Sequence, residues 1–243
     1  MHEFLARLRS LLIWLVTLPV FVAACAAIWL GSFVLRGRAF ERLLKGGCRA
    51  VLFFAGVRVE VIGRENVVPG RQYVALMNHV NFFDPMVFQV AFPYAARGVE
   101  EESHFRWPVY GATLKRIGMF PIDRKDTGQA VETMRRAADW LRRKPGFSFA
   151  VMPEGTRTGD GRLGPFKRGG FILAVETELD ILPLVQAGAF EIARKGSLNI
   201  RPGKIVVTIA PPVASAGYSK ETVGTLIDRV RRVFLEGLGE SSS

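Results

Sequence analysis

A chain of 243 residues, 49% of them apolar, can bury one sizeable core, and 33 basic against 22 acidic side chains leave it at +11. Two cysteines and three histidines (His2, His79 and His104), none at metal-ligand spacing, exclude a disulfide framework and a zinc site. No helix-turn-helix, RRM-type signature or Cys/His finger accompanies the positive charge. Its partners are therefore read as anionic lipid head groups, phosphate-bearing substrates or acidic acyl carriers, with no nucleic acid.

Leu11 to Leu35 contains no charged residue. At about 1.5 Å per residue a helix of that length covers the ~30 Å hydrocarbon core of a bilayer. Pro19 is expected to interrupt its hydrogen-bond ladder and kink it. Ala23, Ala24, Ala26 and Ala27 lie inside the run rather than after it, which argues against a cleaved signal peptide. Arg7 and Arg9 precede the run and Arg36, Arg38 and Arg42 follow it, so flanking charge sets no orientation. Ala39 to Gly56 is basic in its first half and apolar in its second, the pattern of a helix entering the interface. A helical hairpin lodged in one leaflet and a full crossing both fit. Residues 1–56 are assigned to membrane attachment and 57–243 to a catalytic domain.

From Val57 the pattern changes. Val57 to Val61 alternates with period two and predicts a half-exposed strand. After a turn at residues 66–70, Tyr73 to Met77 has the composition of a buried strand. Asp84-Pro85 is a helix-start pair, with Asp84 expected as the N-cap and Pro85 in the first helical position. A helix then runs to about Phe92, a second covers Ala112 to Ile117, and a strand lies near Met119-Phe120. Asp126 or Thr127 caps the next helix, with Gln129 in capping-box position for Asp126. Its apolar stripe is Ala130, Val131, Met134, Ala137, Ala138 and Leu141, and Pro145-Gly146 stops it. Strands are predicted for residues 147–152, 181–185 and 204–210, and a helix for 171–178. A last helix, Lys220 to Glu236, is expected to be capped by Ser219. Strands interleaved with helices predict an α/β fold, a central, largely buried sheet flanked by helices behind an N-terminal membrane-embedded helical hairpin.

The chemistry concentrates at the strand ends. Asn78-His79-Val80-Asn81-Phe82-Phe83-Asp84 places a histidine and an aspartate five positions apart on a strand-to-helix loop. A neutral imidazole there accepts a proton near pH 7, and a carboxylate fixes its tautomer. Phe120-Pro121-Ile122-Asp123-Arg124, Met152-Pro153-Glu154-Gly155-Thr156-Arg157 and Ile181-Leu182-Pro183-Leu184 follow in order. No serine or cysteine stands in a nucleophile elbow such as GxSxG.

These four segments resemble the four blocks of the 1-acylglycerol-3-phosphate acyltransferase family, the first matching its NHxxxxD and the third its EGTR. The resemblance spans roughly residues 57 to 213. It implies transfer of an acyl group from a thioester, either acyl-CoA or acyl carrier protein, to the hydroxyl of a lysophospholipid in a membrane, with no cofactor. The expected acceptor position is the sn-2 hydroxyl of 1-acylglycerol-3-phosphate. The expected location is the cytoplasmic face of a bacterial inner membrane. By the same resemblance His79 is the general base and Asp84 orients it. Arg124 and Arg157 hold the acceptor phosphate, and Glu154, Gly155 and Thr156 line the substrate site. Gly155 lets backbone N–H groups approach the thioester oxyanion, and Asn78 is either a further donor or a brace for the loop.

Two departures stand out. Asn81 occupies a position where the family often has serine. Glu100, Glu101 and Glu102 form an acidic run where relatives acting on lysophosphatidate commonly carry lysine, so carboxylates facing the site would favour a less anionic lysolipid. A hydrolase using water at the same base and a non-catalytic lipid-binding protein are the competing readings.

Overall fold

The apolar N-terminal run forms one long helix, α1 (His2–Val34), in a computed structural model that describes residues 2–240. The helix continues through Pro19, because the missing N–H removes one bond from a long ladder whose neighbouring turns keep theirs. α2 (Gly37–Phe54) returns along α1, and Ile28, Phe40 and Leu44 pack between them. The expected helical pair is therefore present. α1 turns Leu8, Leu11, Leu15, Leu18, Trp29 and Phe33 outward, while Trp14 and Phe21 pack on the domain.

Strand β1 (Val57–Ile62) alternates in burial as its period-two pattern predicts, and a 3-10 turn at Arg64–Asn66 leads toward β2 (Val74–Met77). The remaining elements are α3 (Asp84–Ala91), β3 (Ala95–Glu101), α4 (Tyr110–Ile117), β4 (Phe120–Ile122), α5 (Thr127–Arg143), β5 (Phe147–Val151), α6 (Gly169–Thr177), β6 (Ile181–Ala187), α7 (Ala189–Ile192), β7 (Gly203–Ile209) and α8 (Val223–Leu238). β3 and α7 have no counterpart in the sequence reading. The β3 segment AARGVEE carries an arginine, a glycine and two acids, and only its pairing between two neighbours makes it a strand.

One seven-stranded sheet results, in the order β1-β7-β6-β2-β5-β3-β4. β6, β2, β5, β3 and β4 run parallel, whereas β7 is antiparallel to β6 and parallel to β1. Central β2 is buried on both faces, as an all-apolar parallel strand requires. Ala75 and Met77 join a core with Val51 and Leu52 of α2, Ala55 just past its end, and Val87, Phe88 and Ala91 of α3. Val74 and Leu76 join a second core with Ala137 and Leu141 of α5, Phe171 of α6, and Leu226 and Phe234 of α8. The segment assigned to attachment thus shares a core with the domain.

Three local expectations are corrected. Val131 of α5 is 64% exposed, and Thr133 takes the inward position, its hydroxyl donating to the Pro121 carbonyl at 2.9 Å. Asp126 does accept from the Gln129 N–H at 3.0 Å, but the reciprocal arm of the box goes elsewhere, Gln129 Oε1 accepting from the Asp123 N–H at 2.7 Å. Ser219 does not cap α8. It organises the preceding turn, accepting from the Glu221 and Thr222 N–H groups, and the helix begins at Val223.

The functional consequence lies in strand direction. β2, β3, β4 and β5 all point their carboxyl ends to one edge, where ligands bind in open α/β sheets. His79 follows β2, Glu101 ends β3, Arg124 follows β4 and Glu154 follows β5.

Candidate active site

Between β2 and α3 the loop Asn78–Phe83 folds around one carboxylate. Asp84 Oδ2 lies 2.6 Å from His79 Nδ1 and accepts the N–H groups of Val80 at 2.6 Å and Asn81 at 3.1 Å. Its Oδ1 accepts from Gln186 Nε2 at 2.8 Å. A fully buried carboxylate whose oxygens already accept three N–H groups presents His79 Nδ1 with an acceptor. His79 consequently donates from Nδ1 and presents Nε2 as a free acceptor, with no protein partner among the described residues. The expected N-cap role of Asp84 is corrected: it is the first residue of α3, and its carboxylate turns back into the loop instead of capping the helix.

Of the two roles expected for Asn78, donor or brace, the structure shows bracing contacts. Its Nδ2 donates to the Gln186 carbonyl at 3.0 Å and its Oδ1 accepts the Gln186 N–H at 2.8 Å, so the side chain ties β2's exit to β6. Gln186 returns the contact through Nε2 to the Asn78 carbonyl at 2.7 Å. Gln186 thus orients both the loop and the dyad's aspartate, a role absent from the sequence reading. The signal was a single amide inside the apolar run Ile181 to Ala187. Asn81, the departure from serine, is completely buried, with Nδ2 donating to the Ala189 carbonyl at 2.7 Å and Oδ1 accepting the Phe83 N–H at 2.8 Å.

After β5 the chain turns through Glu154-Gly155-Thr156-Arg157. Glu154 is 6% exposed, and each oxygen takes a backbone N–H, that of His79 at 2.6 Å and that of Gly164 at 2.8 Å. Burial pushes its carboxyl above the ordinary carboxylate range despite those two bonds. In this structure it holds the backbone at His79. Gly155 adopts φ +68°, and a Cβ there would lie 2.8 Å from the Lys167 side chain. Its own N–H donates to the Met152 carbonyl at 3.0 Å. The N–H groups of Thr156 and Arg157 have no partner among the described residues. Thr156 is exposed and accepts from Lys195 Nζ at 3.0 Å. The half-buried Arg157 guanidinium meets no carboxylate among the described residues, and the next residue, Thr158, donates its N–H to the His79 carbonyl at 2.9 Å.

Arg124 is brought to the same place from β4. It donates from Nη1 to the Gly155 carbonyl at 2.9 Å and pairs through Nε with Glu101 Oε2 at 3.2 Å. Glu100 points inward, accepting from His104 Nδ1 at 2.8 Å and from the Tyr110 hydroxyl at 3.2 Å. Burial opposes its ionisation, yet these bonds and the Glu101 N–H together hold its carboxyl below the usual range. Glu102 is the outermost of the three and pairs loosely with Arg106 at 3.6 Å.

Two small cavities meet behind the dyad. One, about 60 Å³, is lined by His79, Phe88, Gly98, Arg124 and Met152. The other, about 80 Å³, is walled by Phe21, Cys25 and Ile28 of α1, by Leu44 and Val51 of α2, and by Met86. Pro85, Gln89, Glu100 and Met119 border both. The first cavity thus abuts His79 and the second lies between the two N-terminal helices, with these four residues in the walls of both. Among the described residues no cluster of His, Cys, Asp and Glu has metal-holding geometry.

The site is a His–Asp dyad at the carboxyl edge of the parallel strands of a mixed α/β sheet. The family model for acyltransferases matches residues 58–187, more than half the chain, and the chain belongs to that family. It is 30% identical over 232 residues to human 1-acyl-sn-glycerol-3-phosphate acyltransferase alpha, spanning 95% of this chain and 79% of that protein. It is 28% identical over 191 residues to the 1-acyl-sn-glycerol-3-phosphate acyltransferase of Limnanthes alba, spanning 79% of this chain and 67% of that one. The crystal structure of the 1-acyl-sn-glycerophosphate acyltransferase PlsC from Thermotoga maritima has the same fold, with a TM-score of 0.80 over 98% of both chains at 23% identity.

Proposed function

We propose that the protein acylates the free sn-2 hydroxyl of 1-acylglycerol-3-phosphate at a membrane surface, giving phosphatidic acid, with acyl-CoA or acyl carrier protein as donor. The observation that carries this is His79 Nε2, unpartnered at the wall of a cavity and backed by a buried, four-donor aspartate. His79 Nε2 takes the hydroxyl proton as the oxygen bonds to the thioester carbonyl carbon. The tetrahedral intermediate then expels the thiol, which receives the proton back from the imidazolium. Asp84 stabilises that imidazolium, and proton transfer of this kind contributes roughly 10²–10⁴-fold. The Thr156 and Arg157 N–H groups are the candidate oxyanion donors. Arg157 and Arg124 take the acceptor phosphate, and the apolar walls that α1 and α2 present beside the site are where an acyl chain would pack.

Residues 1–56 serve as the membrane anchor and 57–243 as the catalytic domain. The outward stripe of α1 supports this, since a contiguous apolar face of that length marks a lipid or protein contact. The active site faces the cytoplasm of a bacterial inner membrane, where soluble acyl thioesters reach it. A second reading, a less anionic acceptor, is favoured by one observation: Glu101 already occupies Arg124. The test is a lysolipid panel with an acyl thioester, following thiol release and lipid product together. Phospholipid formation from lysophosphatidate is expected, whereas free fatty acid alone would establish a hydrolase.

A further inference from the structure

At the opposite edge of the sheet from His79, where Ala95 opens β3 and Phe147 opens β5, the α1–α2 turn closes over a groove of about 690 Å³. Acyl transfer makes no use of it. We propose that this groove binds the head group of an anionic phospholipid in the membrane that α1 contacts, an inference that rests on the membrane attachment proposed above.

Four exposed arginines supply the charge: Arg36, Arg38, Arg42 and Arg116 line the groove and form no ion pair among the described residues. The acid in the lining, Glu41, is taken up by buried Arg97. Two of the four are preorganised. Arg36 donates to the Ser32 and Leu35 carbonyls at the end of α1, and Arg116 Nε donates to Ser32 Oγ at 2.7 Å. Both forks are anchored on the same helix end, so each loses less freedom on gripping a phosphate. Arg38 and Arg42 stand one turn apart on α2 and project into the same groove.

A lipid rather than a free anion is indicated by what borders the arginines. Phe33 and Val34, 53% and 81% exposed, end the apolar stripe of α1, and the Arg116 guanidinium lies 4.1 Å over the Phe33 ring. A phosphodiester held here has its glycerol and chains against that stripe, while a soluble phosphate gains nothing from it.

The test is flotation of the full chain with neutral phosphatidylcholine vesicles and with vesicles containing phosphatidylglycerol. The expected result is stronger flotation with the anionic vesicles. Substituting Arg38→Gln and Arg42→Gln together, which breaks no contact in the structure, should reduce that preference by about fivefold per arginine. The matched control Arg229→Gln with Arg232→Gln removes the same charge from exposed positions on α8 and should leave it nearly intact. Equal loss in both pairs would reduce the effect to the overall charge of +11 and overturn the site. Displacement by inorganic phosphate at constant ionic strength would make it a soluble-anion site and overturn the lipid assignment. A chain floating equally with both vesicles overturns the groove alone, and a chain floating with neither overturns the membrane reading.

Discussion

Replacing Glu101 by glutamine tests how the head-group site is charged. Glu101 Oε2 sits 3.2 Å from Arg124 Nε, and both side chains are 32% exposed. The gross attraction at an effective dielectric of ~20 is about 5 kcal/mol. Solvent screening and desolvation reduce such a half-open pair to about 1 kcal/mol. A phosphate seeking Arg124 must displace that carboxylate and then bear its repulsion. Glu101→Gln removes both penalties, so the KM for lysophosphatidate should fall by roughly five- to tenfold. The kcat should stay within about twofold, because in the proposed mechanism Arg124 binds the acceptor and takes no proton. Lysophosphatidylethanolamine, whose ammonium is complementary to Glu101, should lose affinity in the same variant. The assay is initial-rate thiol release with each acceptor, with the lipid product quantified in parallel. Unchanged KM values for both acceptors would refute the reasoning and place the acceptor phosphate away from Arg124.

His79→Ala should lower turnover by at least ~100-fold with the circular dichroism spectrum preserved, since the histidine lies on a loop. Asp84→Asn should lose activity and also about 1–3 kcal/mol of stability, read by urea melts, because an amide forces one N–H against donors that a carboxylate accepts. Gln186→Glu sets a second carboxyl against Asp84. Protonated, it donates as the amide does, so kcat relative to the parent should fall by about tenfold near neutral pH and recover as pH falls, checked by a pH–rate profile. Glu100, held below its unfolded value near 4.3, contributes stability present above that value and lost as pH falls through its folded pKa. The difference in urea midpoint between the parent and Glu100→Gln should therefore shrink on acidification from pH 6 to about pH 3.

The positions of the chemistry were legible wherever local pattern decides structure. The apolar run at residues 73–77 becomes central β2, and the loop it feeds carries the dyad. The left-handed conformation of Gly155 was not anticipated from the sequence. What each polar group faces was not legible, because that depends on donors brought in from distant segments. The motif left Asn78 as donor or brace and suggested Glu154 as a ligand-positioning group, but it did not disclose their partners in the fold, Gln186, Gly164 and the His79 backbone. Glu101 and Glu102 are adjacent and chemically alike. Only the pairing of β3 with β4 sends one to Arg124 while the other meets Arg106 near the surface.

Gln186 reaches back 102 residues to set Asp84, and this separation gives the chain an order of events during synthesis. At about 5–20 residues per second, roughly 8–30 s separate completion of α1 from the appearance of Gln186. In that interval the apolar helix can meet a bilayer, while the histidine has a loop but no rigid backing. Long-range parallel pairing is also slow to close. On the proposed membrane attachment, a nascent or half-folded chain would therefore reach the bilayer before Gln186 could fix the aspartate behind its histidine.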